Sequence, residues 1–189
     1  LPHMLVEQDK WKKIVSKMGI TKKDKIIIYD NSDVISSCRC WYNFIYFGHD
    51  PKLIYVLNGG FKKWKNEKKE TTKKFPHIQI TKYETSENKK LVKSKEEINK
   101  NIDTQFFKLI DARNKDRFEG KVPEPRKGLK SGNIKNSFCL PFGLCLNENK
   151  TFKNKNELRN IFKSYIKNLN DKNIVFSCGS GITACVLAL

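Results

Sequence analysis

Apolar positions along this chain recur first at helical spacing, then in short β-branched runs, and the switches between the two lay out an order of elements. From Asp9 to Met18 the apolar residues Trp11, Ile14, Val15 and Met18 fall at helical intervals, and Gly19 stops the run. A β-branched run at Lys25 to Tyr29 reads as a strand ending at Asp30. After a polar loop, a second helix is expected from about Ser37 to Phe47, stopped by Gly48. Leu53 to Leu57 reads as another strand, and Gly59-Gly60 open a short helix carrying Phe61 and Trp64. Strand, helix, strand, helix implies parallel strands joined by crossovers. The Lys/Glu/Thr stretch from Lys65 to Lys74 reads as a linker, giving a first domain over 1–74 and a second over 75–189.

The second half repeats that grammar. A short helix is expected at Lys93 to Asn99, a strand from Phe106 to Ile110 leading into Asp111-Ala112-Arg113, and a short strand at Phe138 to Pro141. Glu157 to Tyr165 predicts a helix with Leu158, Ile161, Phe162 and Tyr165 on one face, and Asn173 to Ser177 a strand followed by a helix over Thr183 to Leu189. Ile26-Ile27-Ile28-Tyr29-Asp30 can be laid on Ile174-Val175-Phe176-Ser177-Cys178. The two copies then differ at the end of the strand, Asp30 in one and Cys178 in the other.

Composition adjusts this picture in three places. Lys and Arg number 38 against 20 Asp and Glu, a formal charge of +18, yet only five of the cations are Arg. The Lys residues are scattered, and no helix-turn-helix, zinc-finger or basic–aromatic reading surface is present. A generic affinity for polyanions is expected, and specific nucleic-acid binding is not. No stretch approaches the roughly 18 consecutive apolar residues of a spanning helix, so no membrane partner is expected. Three of the five Arg (Arg113, Arg117 and Arg126) fall close together, where planar forks can grip an oxyanion; pairing with Asp111, Asp116, Glu119 or Glu124 is the alternative for each.

Cys38, Cys40, Cys139, Cys145, Cys178 and Cys185 make six cysteines in an ordinary-sized chain without a visible leader, and they read as thiols, most of them small buried hydrophobes. Cys38-Arg39-Cys40 lacks a second metal-spaced pair. With His3, His49 and His77 the only histidines, no zinc site is expected.

Cys178 has the strongest chemical claim. It closes an apolar strand and opens Cys178-Gly179-Ser180-Gly181-Ile182-Thr183, a loop whose glycines let backbone N–H groups turn inward at a helix start, a setting that stabilises a thiolate. A phosphatase of the Cys-x5-Arg type would need Arg where Ala184 stands, and a disulfide oxidoreductase would need Cys where Gly181 stands.

The run Cys178-Gly179-Ser180-Gly181-Ile182-Thr183-Ala184 after an apolar strand resembles the active-site loop of the 3-mercaptopyruvate sulfurtransferases, within the tandem-domain rhodanese superfamily. Further matches in order and spacing are Leu109-Ile110-Asp111-Ala112-Arg113, Arg117-Phe118, Pro123-Glu124-Pro125-Arg126, Asn136-Ser137-Phe138, Tyr29-Asp30, Arg39 with Trp41, Phe47-Gly48-His49 and Asn58-Gly59-Gly60-Phe61 with Trp64. The resemblance implies an α/β fold of two rhodanese-like domains, each a parallel-stranded sheet flanked by helices. The first would be incomplete at its N-terminal side, from the linker-like Pro2-His3-Met4-Leu5, and the second incomplete at its C-terminal side.

It further implies a sulfur transferase in which Cys178 takes sulfur from 3-mercaptopyruvate as a persulfide and passes it to a thiol such as thioredoxin, or to cyanide. Arg117 and Arg126 would hold the substrate carboxylate and carbonyl, Ser180 would assist proton movement, and the amides of Gly179, Gly181, Ile182 and Thr183 would hold the persulfide. No metal or organic cofactor is implied, and the address would be cytoplasmic or mitochondrial rather than secreted. The sequence departs from the family in having Asn133 where a His is usual. A thiosulfate-preferring rhodanese ranks second, because basic residues would be expected in place of Gly179 and Ser180. A non-catalytic rhodanese-like binding module ranks third.

Overall fold

The computed structural model describes residues 4–166, 168 and 173–189; Pro2 and His3 of the linker-like start lie outside them. The chain divides into two compact units, Leu1–Leu91 and Val92–Leu189. Each is built around parallel strands with helices between them.

In the first unit, β1 (Ile26–Ile28) pairs in parallel with β2 (Ile54–Val56), Ile27 standing opposite Tyr55. The connection runs through α2 (Ser37–Tyr46), whose Phe44 and Tyr46 turn inward against Trp11 and Val15 of α1 (Gln8–Lys17). Trp11 meets Phe44 edge-on at 5.0 Å and stacks on Phe47 at 5.3 Å. Of the four apolar residues whose spacing predicted α1, Trp11 and Val15 form its buried stripe, Ile14 is half-buried and Met18, at the helix end, is exposed. α3 (Gly60–Asn66) follows β2, opened by the Gly59-Gly60 pair as expected.

The division between units falls at Leu91, beyond the boundary expected at Lys74, because the extended stretch over 81–88 is stitched to the first unit. Thr81 N–H donates to Ser16 O at 3.1 Å, Ser86 N–H to Phe47 O at 3.1 Å and Asn88 N–H to Tyr46 O at 2.8 Å. Tyr83 is wholly buried in that core. Its hydroxyl lies 3.0 Å from Nδ1 of the buried His49, whose Nε2 lies 3.1 Å from the carbonyl of Asp24. A carbonyl only accepts, so Nε2 carries the proton and the tyrosine donates to Nδ1. Burial holds this imidazole below the usual histidine range.

In the second unit the strand order is β4-β3-β5, all parallel, with β3 (Lys108–Asp111) between β4 (Phe138–Cys139) and β5 (Ile174–Ser177). Leu109, Ile110 and Asp111 are all buried, as befits a central strand covered on both faces. β3 begins two residues later than the apolar run suggested, and Phe106 is exposed. The helix expected at Lys93 to Asn99 is α4 (Lys95–Thr104), and it extends further because Asn101 closes it onto the strand. The Asn101 amide donates to Phe107 O and its oxygen accepts from Phe107 N–H, both at 2.9 Å. Ser94 and Glu97 cap its start in a capping box, as Asn154 and Glu157 do for α6 (Lys155–Lys163). The core gathers Ile110, Ala112, Leu140, Cys145, Ile166 and Leu187, with Leu158, Ile161, Phe162 and Phe176 packed against it.

A four-residue helix, α5 (Lys115–Phe118), has no counterpart in the expected elements. Asn114 starts it, its side chain accepting from Arg117 N–H at 3.0 Å. The carboxyl ends of β3 and β5, where parallel sheets place their ligands, carry Asp111 and Cys178.

Candidate active site

Cys178 follows the last residue of β5, and the chain then turns through residues 179–183 into α7 (Ala184–Ala188). Gly181 makes the turn at φ +76°, a left-handed conformation that glycine adopts without the steric cost of a β-carbon. The turn aims the backbone inward: Gly181 N–H lies 3.0 Å from Cys178 Sγ and Ser180 N–H 3.5 Å. Burial by itself would raise the thiol, but the Thr183 hydroxyl and the N–H groups of Ser180, Ala184 and Gly181 all hydrogen-bond the sulfur, and the net displacement is downward. Cys40 and Cys145 are instead pushed up to about 11 by burial, and Cys139 is raised by burial and by Asp111. The groups on the sulfur are thus the N–H of Ser180, Gly181 and Ala184 and the Thr183 hydroxyl; Ala184 was not among the expected amides, and those of Gly179 and Ile182 are not among the sulfur's hydrogen-bond partners in the structure. Ile182 O accepts from Cys185 N–H at 3.1 Å, a bond that opens α7 rather than one to the sulfur.

The arginines separate by role. Arg113 is taken up by carboxylates: its Nε and Nη2 grip Asp111 at 2.7–3.1 Å, its Nη1 meets Glu124 at 2.8 Å, and Nη2 also donates to Gly132 O at 2.7 Å. For this residue the pairing alternative holds, and its fork is a structural tie between β3 and the 119–132 loop. Arg117 donates through Nε and Nη2 to Glu124 at 3.0 and 2.6 Å. Its Nη2 lies 2.6 Å from where a β-carbon on residue 179 would stand, so the guanidinium rests directly against the cysteine loop. Arg126 is partly buried in the same loop, its carbonyl accepting from Leu129 N–H at 3.5 Å. Asn133 ties the loop to α5 by donating to Phe118 O at 3.0 Å.

Glu124 is the residue that sequence reading placed only among the possible partners. Its side chain is 4% exposed, and the two arginines hold its carboxyl below the usual range, Arg117 most strongly. The first unit shows the same loop position filled differently. The Asp30 carboxylate accepts from Ser37 N–H at 2.6 Å, Ser36 Oγ at 2.8 Å and Ser32 Oγ at 3.0 Å, so a fixed carboxylate satisfies the donors at this helix start. Among the described residues, no group of three or more His, Cys, Asp or Glu side chains is arranged to hold a metal ion.

Residues 3–67 and 94–189 match the model of the rhodanese-like domain. The chain is 32% identical over 210 residues to thiosulfate/3-mercaptopyruvate sulfurtransferase 1, mitochondrial, of Arabidopsis thaliana, covering 100% of this chain and 55% of that protein. It is 38% identical over 195 residues to a probable 3-mercaptopyruvate sulfurtransferase of Schizosaccharomyces pombe, covering 99% of this chain and 64% of that protein. Among solved structures it superimposes on the Tum1 protein of Saccharomyces cerevisiae with a TM-score of 0.81 at 27% identity, covering 98% of this chain and 66% of that one. The chain thus spans 55–64% of the length of these two curated relatives.

Proposed function

The chain belongs to the rhodanese-like domain family, and from that premise we propose that Cys178 carries sulfur as a persulfide, taken from 3-mercaptopyruvate and passed to a thiol. The observation that carries this reading is the cradle of N–H groups and the Thr183 hydroxyl around Cys178 Sγ, with an arginine fork against the same loop. A thiolate held this way attacks the mercaptan sulfur of the donor. An S–S bond forms and the donor C–S bond breaks; the carbon fragment leaves as the enolate of pyruvate and takes up a proton, a transfer that the Ser180 hydroxyl is proposed to assist. An acceptor thiolate then attacks the outer sulfur and returns Cys178 as thiolate. Thioredoxin would supply such a thiol, and cyanide attacking the same sulfur would leave as thiocyanate.

Arg117 and Arg126 are the proposed anchors for the donor carboxylate and carbonyl, because a planar fork matches a planar pair of oxygens. Thiosulfate is the second reading, favoured by the double name of the Arabidopsis relative. No helix among the described residues is long and apolar enough to cross a membrane. Reduced thiols persist in the cytoplasm and mitochondria, the compartments that suit this chemistry.

The test is sulfur transfer by the full-length protein from mercaptopyruvate and from thiosulfate, side by side, with intact-mass detection of one added sulfur on Cys178. Absence of that adduct with both donors rejects the proposal.

A further inference from the structure

Four charged side chains are joined in a chain of ion pairs, Asp111–Arg113–Glu124–Arg117, whose last pair stands against the cysteine loop. Two are anions and two are cations, so the set is balanced before any substrate arrives. Asp111 and Glu124 are 5% and 4% exposed and Arg113 10%, while Arg117, at the end nearest the loop, is 25% exposed. Glu124 uses both oxygens on Arg117, and both bonds fall on one edge of the fork, Nε and Nη2. Nη1 has no partner among the described residues. Glu124 therefore leaves the Nη1/Nη2 edge open. On the other side, Gly179 leaves room for that end: a β-carbon there would stand 2.6 Å from Nη2 and 3.7 Å from Glu124 Oε2. The backbone at Gly179 is not left-handed, so the glycine answers a demand for space rather than for conformation.

We propose that Glu124 is a positioning residue that turns the open edge of Arg117 toward a carboxylate entering at Cys178, and that Gly179 lacks a side chain so that this edge can lie against the loop. The proposal rests on the reading of Cys178 as the reactive thiolate and deepens the role given to Arg117. It makes a prediction of sign. If Glu124 only screened the positive charge of Arg117, removing its charge would strengthen the attraction for an anion. If it positions the fork, removing it weakens that attraction, because a loose guanidinium must be ordered at each encounter.

Iodoacetate and iodoacetamide separate these cases without calling on sulfur transfer. Both alkylate a thiolate, forming an S–C bond and releasing iodide, and they differ in whether the small fragment carries a carboxylate. The readout is the ratio of their rates at Cys178 in the full-length protein, located by peptide mass. In Glu124→Gln the ratio should fall roughly ten-fold, on the order of one charge-assisted hydrogen bond, with the iodoacetamide rate unchanged. Gly179→Ala should lower the ratio by a similar factor, and the double variant should add little to either single one, since both displace the same guanidinium. Arg117→Gln sets the floor.

An unchanged or higher ratio in Glu124→Gln, while Arg117→Gln lowers it, overturns the inference and leaves Arg117 as an anchor. A parallel fall of both rates in Glu124→Gln also overturns it, because Glu124 would then only hold the loop in shape. An unchanged ratio in Arg117→Gln overturns the inference together with the substrate role of Arg117. Failure of mercaptopyruvate turnover with the ratios as expected would sink only the choice of donor.

Discussion

Asp30 holds the backbone N–H of Ser37 at 2.6 Å with its own carboxylate, at the strand end that corresponds to Cys178 in the other unit. One copy of the repeat thus sets a carboxylate against its helix start, and the other a thiol. Asp30→Ala leaves Ser37 N–H without its acceptor and removes the acceptor shared by the Ser32 and Ser36 hydroxyls, which as donors keep only each other, at 3.1 Å. It should destabilise the protein by about 1–3 kcal/mol, the cost of unmet polar groups. Urea unfolding measures this, and the alkylation rate of Cys178 should be unaffected.

Cys178 is expected to be the sole sulfur carrier. It alone closes a strand against a cradle of N–H donors, whereas burial pushes Cys40 and Cys145 up to about 11. Cys178→Ser should abolish persulfide formation. Cys40→Ser and Cys145→Ser should affect thermal stability more than transfer, and an added sulfur on a peptide lacking Cys178 would refute the assignment.

Thr183 makes a separable contribution. Its hydroxyl favours the thiolate of Cys178, so Thr183→Val removes one hydrogen bond to the charged form and shifts the thiol upward. Iodoacetamide alkylation at neutral pH should slow by roughly ten-fold, on the order of one hydrogen bond to a charged group. The rate at high pH, where the thiol is ionised in both proteins, should be nearly the same.

The reactive strand, loop and helix were legible because they are contiguous: an apolar run, a cysteine and two glycines stand in order from Ile174 to Thr183. The arginine network was not legible in that way. Arg113 and Arg117 sit among four acidic residues at similar spacings, and sequence distance cannot tell a carboxylate partner from a substrate anchor. The structure resolves Arg113 as fully engaged and Arg117 as engaged on one edge only. Tyr83 escaped for another reason: the 81–88 stretch has no apolar periodicity of its own. Its place is fixed by contacts with Ser16, Phe47 and His49, all distant in sequence.

His49 should make stability depend on pH. Its imidazole is held neutral and below its usual value of 6.5, chiefly by burial, while in the unfolded chain it titrates near that value. Between the two values the unfolded state binds more protons, so stability is full above about 6.5 and falls as pH is lowered toward the folded value. The urea midpoint should drop on acidification across that window. His49→Gln should be less stable at neutral pH and flatter across the same range.

Donor preference follows from where positive charge lies around the sulfur. Mercaptopyruvate offers a carboxylate beside a carbonyl, a planar pair that arginine forks can grip, while thiosulfate is a compact dianion best met by cations close to the attacking thiolate. The loop directly after Cys178 is the uncharged pair Gly179-Ser180, and the nearby guanidinium of Arg117 is already balanced by Glu124. The full-length protein should therefore favour mercaptopyruvate, and Arg117→Ala or Arg126→Ala should each lower kcat/KM for it by roughly ten- to a hundred-fold, the range of a charge-assisted hydrogen bond. Replacing Gly179-Ser180 by Arg-Lys brings two cations beside the sulfur and also drives a side chain into the space of Arg117, since even a β-carbon there would stand 2.6 Å from Nη2. That double substitution should lose mercaptopyruvate activity and gain thiosulfate activity together. A variant that gained the second while keeping the first would show that Arg117 does not anchor the donor, and native turnover of thiosulfate as fast as mercaptopyruvate would make the thiosulfate reading the correct one.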